Sequence, residues 1–540
     1  MRTPLDCVVI GYNETPFGDY EHLLRQYGED SEAYRDLKFS FVETGEGKLL
    51  YTDLMNWSVR RARPDSRLQF RSGEIPNLAA AYLVNHLRRQ GYAARYVNLF
   101  QDEKERLADF LREGVRCVAI TTTFYVLNFP VNEMVSYIRE QAPEVKIVVG
   151  GPLVSNHVRN YEPADLGTAL ADIGADAYVV DSQGEDTLAR ICACLRAGGD
   201  LATVPNLIVP SRSGLVTTPV QPETNSLDQN DIDWRGFADE APGPTIQMRT
   251  ARSCAFSCAF CNYPARAGRL SLANLGTIER ELESMRALGG VENVVFIDDT
   301  FNVPLPRFKD ICRLMIERKY GFNWFSYFRC SNSDDEAIEL MAESGCKGVF
   351  LGIESGSTPI LKNMAKAATL DQYERGIARL RSHGITTFAS YIIGYPGETE
   401  ETVAETLDFI RRTRCDYYRA QVWYCERGTP IEAQRDKYGI EGDGFVWRHN
   451  TMDSLEAMDH IERMFLSIDE SAWLPQWSFD FWILPYLMGK GVPMDSFKEW
   501  MGSANRLMAL GVASVPAEEA RHLRAEHIDN LTRIAGSWPV

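Results

Sequence analysis

Three cysteines, Cys254, Cys258 and Cys261, fall within eight residues in the stretch SCAFSCAFCNYP, spaced CxxxCxxC. Thiolates so close in sequence can converge on one metal centre. A structural zinc ion would ask for a fourth donor at short range, usually Cys or His. The closest histidines on either side, His157 and His383, are remote in sequence, and Cys312 and Cys330 are predicted in a helix and at a strand end. Three thiolates with one position left over suit an iron–sulfur cluster in which three irons are protein-bound and the fourth accepts an external ligand. The other nine cysteines (7, 117, 192, 194, 312, 330, 346, 415 and 425) lie mostly in apolar runs and read as small core residues.

The trio follows a predicted strand, TIQMRTAR, the first of a βα series that continues with NVVFIDD, NWFSYF, GVFLGIE, TTFASYIIG and YYRAQVWY. Each but the last precedes a helical pattern. Six such units over residues 245–440 predict a partial barrel with its site at the C-terminal strand ends. An earlier alternating series, VVIGY, AARYVNL, CVAITTT, KIVVGG and AYVVD, predicts a Rossmann-like, doubly wound α/β domain over residues 1–209, with an insertion at 14–75. Ligands of such sheets also sit at the strand ends. Those ends carry Gly11-Tyr12-Asn13, Thr121-Thr122-Thr123, Gly150-Gly151-Pro152 and Asp181-Ser182-Gln183-Gly184, small or polar enough to admit a large planar ligand. Residues 210–244, rich in Pro, Ser, Thr, Asp and Asn, read as a linker, and 441–540 as a helical, aromatic C-terminal region.

The 540 residues carry a formal charge of -18, which disfavours a general nucleic-acid binder, and the 45% hydrophobic content is that of a globular protein. No stretch reaches the roughly 18 apolar residues of a membrane span, and the N-terminal apolar run is too short for a signal peptide. A cytoplasmic protein with reduced thiols is expected.

At this point the residues meet a known pattern. CxxxCxxC with Phe260 before its last cysteine, in the first loop of a βα barrel, resembles the radical SAM superfamily across about residues 245–430. The resemblance implies a [4Fe-4S] cluster that binds S-adenosylmethionine and cleaves it reductively to a 5′-deoxyadenosyl radical. It also assigns roles. Asp298 and Asp299 of FIDDTFN would hold the methionine amino end, Glu354 of GIESGS the ribose, and Gly394 and Tyr395 of YIIGYPGET the adenine. Arg329, with Tyr327, is a further candidate contact for S-adenosylmethionine. Each segment alone has a plainer reading, the aspartates as a helix cap and GYPGE as a turn. Their joint order at successive strand ends makes them a set.

A doubly wound domain directly before such a barrel resembles the cobalamin-dependent class. Tyr12, Asn13, Thr121, Thr122, Gly150, Gly151 and Gln183 would then face the corrin. The DxHxxG motif that supplies a lower axial histidine elsewhere is absent, and His22, in DYEHLLRQYG, reads as a helix-surface residue. Neither GxGxxG nor a P-loop supports a nucleotide reading of this domain. The class implies a methyltransferase acting on an unactivated carbon or phosphorus of a small-molecule substrate, fed by an external electron donor of the flavodoxin or ferredoxin type. DCVVIGYN, YRDLKFSFVE and the domain order look most similar to the phosphinothricin-type P-methyltransferases. Two alternatives stay open: a cyclase or rearrangement enzyme of the same class, and a methylthiotransferase-like, RNA-modifying enzyme.

Overall fold

The computed structural model describes residues 4–539 apart from 15, 124, 126, 182, 213, 241–242, 476–481 and 514, so Ser182 and part of the aromatic C-terminal region, including Trp477, lie outside the described residues. The chain forms two compact units. One comprises Met1–Pro16, Gly73–Gln247 and Ser271–Val291, the other Phe17–Ser72, Met248–Leu270 and Glu292–Val540.

The first unit is built on strands β1 (Leu5–Tyr12), β2 (Ala94–Leu99), β3 (Val115–Thr121), β4 (Lys146–Gly150), β5 (Ala177–Val179), β6 (Leu207–Ser211) and β7 (Gly214–Thr217). Their order is β2-β1-β3-β4-β5-β6-β7. The first five are parallel, and β6 and β7 add antiparallel edges. Val8, Val9 and Ile10 are fully buried, as a strand covered by helices on both faces requires. The order reverses between β1 and β3, so the crevice of this fold lies at the ends of Tyr12 and Thr121. Part of the expected linker differs from its composition: Ile208 pairs with Thr217 and Ser211 with Gly214. Pairing is possible there because Leu207, Ile208, Leu215 and Val216 supply apolar strand positions among the Pro and Ser residues.

The second unit holds Met248, the last residue of β8 (Thr245–Met248), with β9 (Asn293–Phe296), β10 (Asn323–Phe328), β11 (Cys346–Glu354), β12 (Thr386–Ile393), β13 (Tyr417–Val422) and a two-residue β14 (Ala472–Trp473). The sheet order follows the sequence order, and β9 through β14 are parallel. The Met248 carbonyl accepts from Ile297 N at 2.9 Å, which aligns the strand leading to the cysteines. A small antiparallel sheet, Glu441–Asp443, Val446–His449 and Met452–Asp453, precedes the expected C-terminal helices.

Of the insertion read from the sequence at 14–75, residues 17–72 pack within the second unit. The helix Tyr51–Ala62 buries Tyr51, Leu54 and Met55, an apolar face that needs a partner. Tyr51 OH donates to Asn505 Oδ1 at 2.8 Å, and the Phe39 ring lies 5.3 Å from Phe465 and 5.0 Å from Trp473. Arg35 bonds Asp459 and Glu462 at 2.6 and 2.8 Å. His22 stands exposed on the helix Phe17–Arg25. No helix among the described residues is long and apolar enough to cross a membrane.

Candidate active site

The CxxxCxxC loop is pinned at several points. Ala259 N donates to the Met364 carbonyl at 2.8 Å, Ile431 N to the Ala259 carbonyl at 2.9 Å, and Asn262 Nδ2 to Glu426 at 2.5 Å. Cys258 is buried and Cys254 and Cys261 are partly so, and none is disulfide-bonded. Around one zinc, with Zn–S about 2.3 Å, thiolates would stand roughly 3.8 Å apart. Among the described residues the one His/Cys/Asp/Glu trio with all its ligand atoms within 4.8 Å lies elsewhere, so at least one sulfur pair among Cys254, Cys258 and Cys261 stands more than 4.8 Å apart. A cuboidal iron–sulfur cluster bridges such a spread. Burial raises the Cys261 thiol, and charge on Cys258, Asp299 and Cys254 raises it further. Three thiolates here therefore need a bound cationic centre, and the donor set fits the cluster.

Both phenylalanines of the loop meet a cation. Arg329 Cζ lies 3.7 Å from the Phe256 ring centroid, and Lys366 Nζ lies 5.5 Å from that of Phe260. Such contacts strengthen as water is excluded. Arg329 is 7% exposed, donates through Nε to Ser331 Oγ at 3.0 Å, and leaves Nη2 buried without a partner. An unpaired buried guanidinium N–H is costly. It suits a ligand carboxylate.

At the end of β9, Asp298 and Asp299 differ sharply. Asp298 accepts from Thr250 N at 2.6 Å and Ala251 N at 2.9 Å through one oxygen and from Thr250 Oγ1 through the other. Its carboxylate is thereby committed to the backbone just before the cysteines, rather than offered to a ligand. Asp299 has an exposed edge but is crowded elsewhere; burial and the neighbouring Asp298 raise its carboxyl to about 6. Asn302 completes the segment, donating to the Arg329 and Asn332 carbonyls at 2.9 and 2.7 Å. Thr300 Oγ1 lies 3.4 Å from Cys254 Sγ.

Glu354, ending β11, adopts φ of 69° and bonds Lys366 Nζ at 2.8 Å. Ala365 and Ala367, on either side of Lys366, also have positive φ, 50° and 48°. Three non-glycine residues in that region store strain where a lysine is aimed, a pattern associated with functional sites. Sequence reasoning missed Lys366; a lysine between two alanines carries no motif.

The turn after β12 puts Gly394 at φ of 82° and buries Tyr395 completely. Glu398 folds back to accept from Gly394 N at 2.5 Å, while Glu398 N donates to the Tyr395 carbonyl at 2.8 Å. Burial holds the Glu398 carboxyl up at about 8. His449 Nε2 lies 3.1 Å from the Gly394 carbonyl, and its ring stacks on Trp447 at 5.2 Å. Tyr395 meets Phe260 edge-on at 6.5 Å and keeps its hydroxyl without a partner.

In the first unit, the strand-end residues divide. Asn13 is 1% exposed and spent: its Nδ2 reaches the Pro130 carbonyl at 2.9 Å and Glu133 at 3.1 Å, its Oδ1 accepts from Gln101, and its N–H bonds Tyr125 OH. Thr121 Oγ1 donates to the Gly11 carbonyl and Thr122 Oγ1 to that of Gly150. These three lock the loops. Gly150, Gly151, Tyr12 and Gln183 are instead partly exposed; Tyr12 stacks on Tyr125 at 6.2 Å, and Gln183 keeps a buried Oε1 without a partner. Gly151 has φ of 113°, and a Cβ there would come 2.8 Å from Thr122 Oγ1. A bare backbone ledge beside an aromatic pair and an orphan amide oxygen fits a corrin and its amide side chains.

Comparisons with known proteins bear on both units. Residues 248–410 match the radical SAM superfamily and residues 70–191 the B12 binding domain. An uncharacterized methyltransferase of Pyrococcus horikoshii is 25% identical over 437 residues, covering 77% of this chain and 90% of that protein. The anaerobic magnesium-protoporphyrin IX monomethyl ester cyclase of Rubrivivax gelatinosus is 24% identical over 505 residues, covering 86% and 88%. The structure of the radical S-adenosylmethionine methyltransferase TsrM from Kitasatospora setae, with cobalamin and a [4Fe-4S] cluster bound, is similar in fold, with a TM-score of 0.59 at 18% identity, over 85% of this chain and 96% of that one.

Proposed function

With a B12 binding domain and a radical SAM domain in one chain, the protein is a cobalamin-dependent radical SAM enzyme, and we propose that it transfers a methyl group to an unactivated carbon or a phosphinate phosphorus of a small natural-product precursor. When bound, the cluster supplies the electron for reductive cleavage of S-adenosylmethionine, and cobalamin carries the methyl group. Cys254, Cys258 and Cys261 would hold the cluster and leave it a position for the methionine end of S-adenosylmethionine. The Arg329 Nη2 without a partner receives the methionine carboxylate, and Asp299 the amino group. Glu354, held by Lys366, accepts from the ribose hydroxyls, and the Gly394–Tyr395 turn lines the adenine. Tyr12, Gly150, Gly151 and Gln183 receive the corrin, with Asn13, Thr121 and Thr122 holding the loops that present them. Electrons come from a flavodoxin or ferredoxin type donor.

The unpartnered Arg329 Nη2 beside the cysteine loop carries the S-adenosylmethionine site of this reading, and the methyltransferase relative supports methyl transfer. The cyclase relative favours a second one, oxidative cyclisation with the same cofactors. Single-turnover product analysis with methyl-labelled S-adenosylmethionine separates them. Label in the product supports methyl transfer; an unlabelled, dehydrogenated ring product replaces it with cyclisation.

A further inference from the structure

Cys7, Cys117 and Cys192 converge in the first unit, all buried, with their sulfurs within 4.8 Å of one another. Cys7 on β1 and Cys117 on β3 are register partners on adjacent parallel strands, and Cys192 comes from the helix Glu185–Arg196. They sit near the N-terminal strand ends, opposite the glycine ledge, and the corrin reading leaves them unused.

We propose that these three thiols form a second metal site, built for one thiophilic d10 ion such as Cu(I) or Zn(II). A metal–sulfur distance of about 2.3 Å sets three trigonal sulfurs roughly 4.0 Å apart, which the trio meets with small side-chain adjustments. The donors are soft and all of one kind. The Asp6 carbonyl, 3.3 Å from Cys117 Sγ, is available as a fourth donor if the ion prefers four.

Charge and access are also provided. Asp6 precedes Cys7, Arg116 precedes Cys117, and Arg196 stands one helical turn after Cys192. Arg196 grips Asp6 through two bonds of 2.6 Å, and Arg116 Nε lies 3.6 Å from the same carboxylate. Two arginines against one aspartate leave a net positive rim beside the sulfurs, which offsets thiolate charge in the dry interior. Arg196 is 43% exposed, so the cation that flanks Cys192 reaches solvent. On binding, each coordinated thiol releases its proton to solvent.

The test uses the full-length, iron-replete protein, so that the other trio is already filled. It is equilibrated anaerobically with Zn(II) or, separately, Cu(I) against a competing chelator. The expected result is one equivalent of zinc or copper per chain, with a sulfur-dominated first shell in element-specific X-ray absorption. Cys192→Ala should lower the affinity at least about tenfold, while Cys194→Ala, on the same helix with a partly exposed thiol, should not. Retention of neither metal, equal retention in the Cys192→Ala variant, or a shell of nitrogen and oxygen overturns the site. Should Cys192→Ala fail to fold, the near-isosteric Cys192→Ser and the absorption spectrum of the unmodified chain decide the question.

Discussion

Lys366 Nζ lies 2.8 Å from Glu354 Oε1, in a pair whose side chains are only 8% and 11% exposed. Removing the cation from such a pair strands a buried carboxylate, a loss of about 3 kcal/mol or more. Lys366→Met is therefore expected to lower the unfolding midpoint and weaken S-adenosylmethionine binding. Glu354→Gln combined with Lys366→Met should recover stability without recovering affinity, because the neutral amide no longer needs the lysine but accepts poorly from a diol. Calorimetric titration on cluster-loaded protein measures this. Full affinity in a stable Lys366→Met variant removes Lys366 from the site.

The strands of both units were legible because apolar runs such as Val8–Ile10 and Ile147–Val149 can only be buried, and the cysteine spacing announced itself. What stayed hidden depends on partners distant in sequence. Nothing local says that residues 17–72 find Trp473 and Trp500, or that Asn13 turns inward toward Glu133. Asp298 and Asp299 look equivalent in DDTF, yet only the three-dimensional approach of Thr250 and Ala251 separates a structural acceptor from a ligand candidate. Lys366 owes its aim to two left-handed alanines, a conformation that alanine does not advertise.

That separation is testable. Asp298→Ala leaves two buried backbone donors without an acceptor, each costing about 1–3 kcal/mol, at the base of the cysteine loop. Iron per chain after reconstitution should fall in this variant. Asp299→Asn should keep its iron and lose S-adenosylmethionine affinity instead. The reverse pattern, with iron lost only at position 299, would exchange the two roles.

On the first unit, Gly151→Val should reduce retention of hydroxocobalamin while leaving iron content unchanged. Its φ of 113° excludes a β-branched residue, and the new side chain would meet Thr122. Gly167→Ala, a helical position with open space around it, serves as the matched control and should retain the corrin. Both contents are read from one ultraviolet–visible spectrum plus iron analysis. Equal corrin retention in the two variants rejects the ledge at Gly151.

Glu398 sets a pH dependence whose sign follows from its environment. Its side chain is fully buried, Oε1 has no partner, and burial lifts the carboxyl to about 8 from an ordinary value of 4.5. The folded state thus keeps a proton that the unfolded chain has already released. Stability from this group is fully present below the unfolded value of 4.5 and declines as pH rises toward about 8, where the folded carboxyl also ionises. The slope in that window approaches about 1.4 kcal/mol per pH unit, and it levels off above it. Glu398→Gln preserves an oxygen to accept from Gly394 N but has no proton to lose, so its unfolding free energy should change less between about pH 5 and about 8 than that of the parent chain. Because this carboxyl braces the Gly394–Tyr395 turn, S-adenosylmethionine affinity should weaken over the same interval in the parent and stay flatter in the variant. Parallel stability curves for the two proteins across that interval would show that Glu398 is ionised in the native state and that the turn is held by charge rather than by a neutral carboxyl.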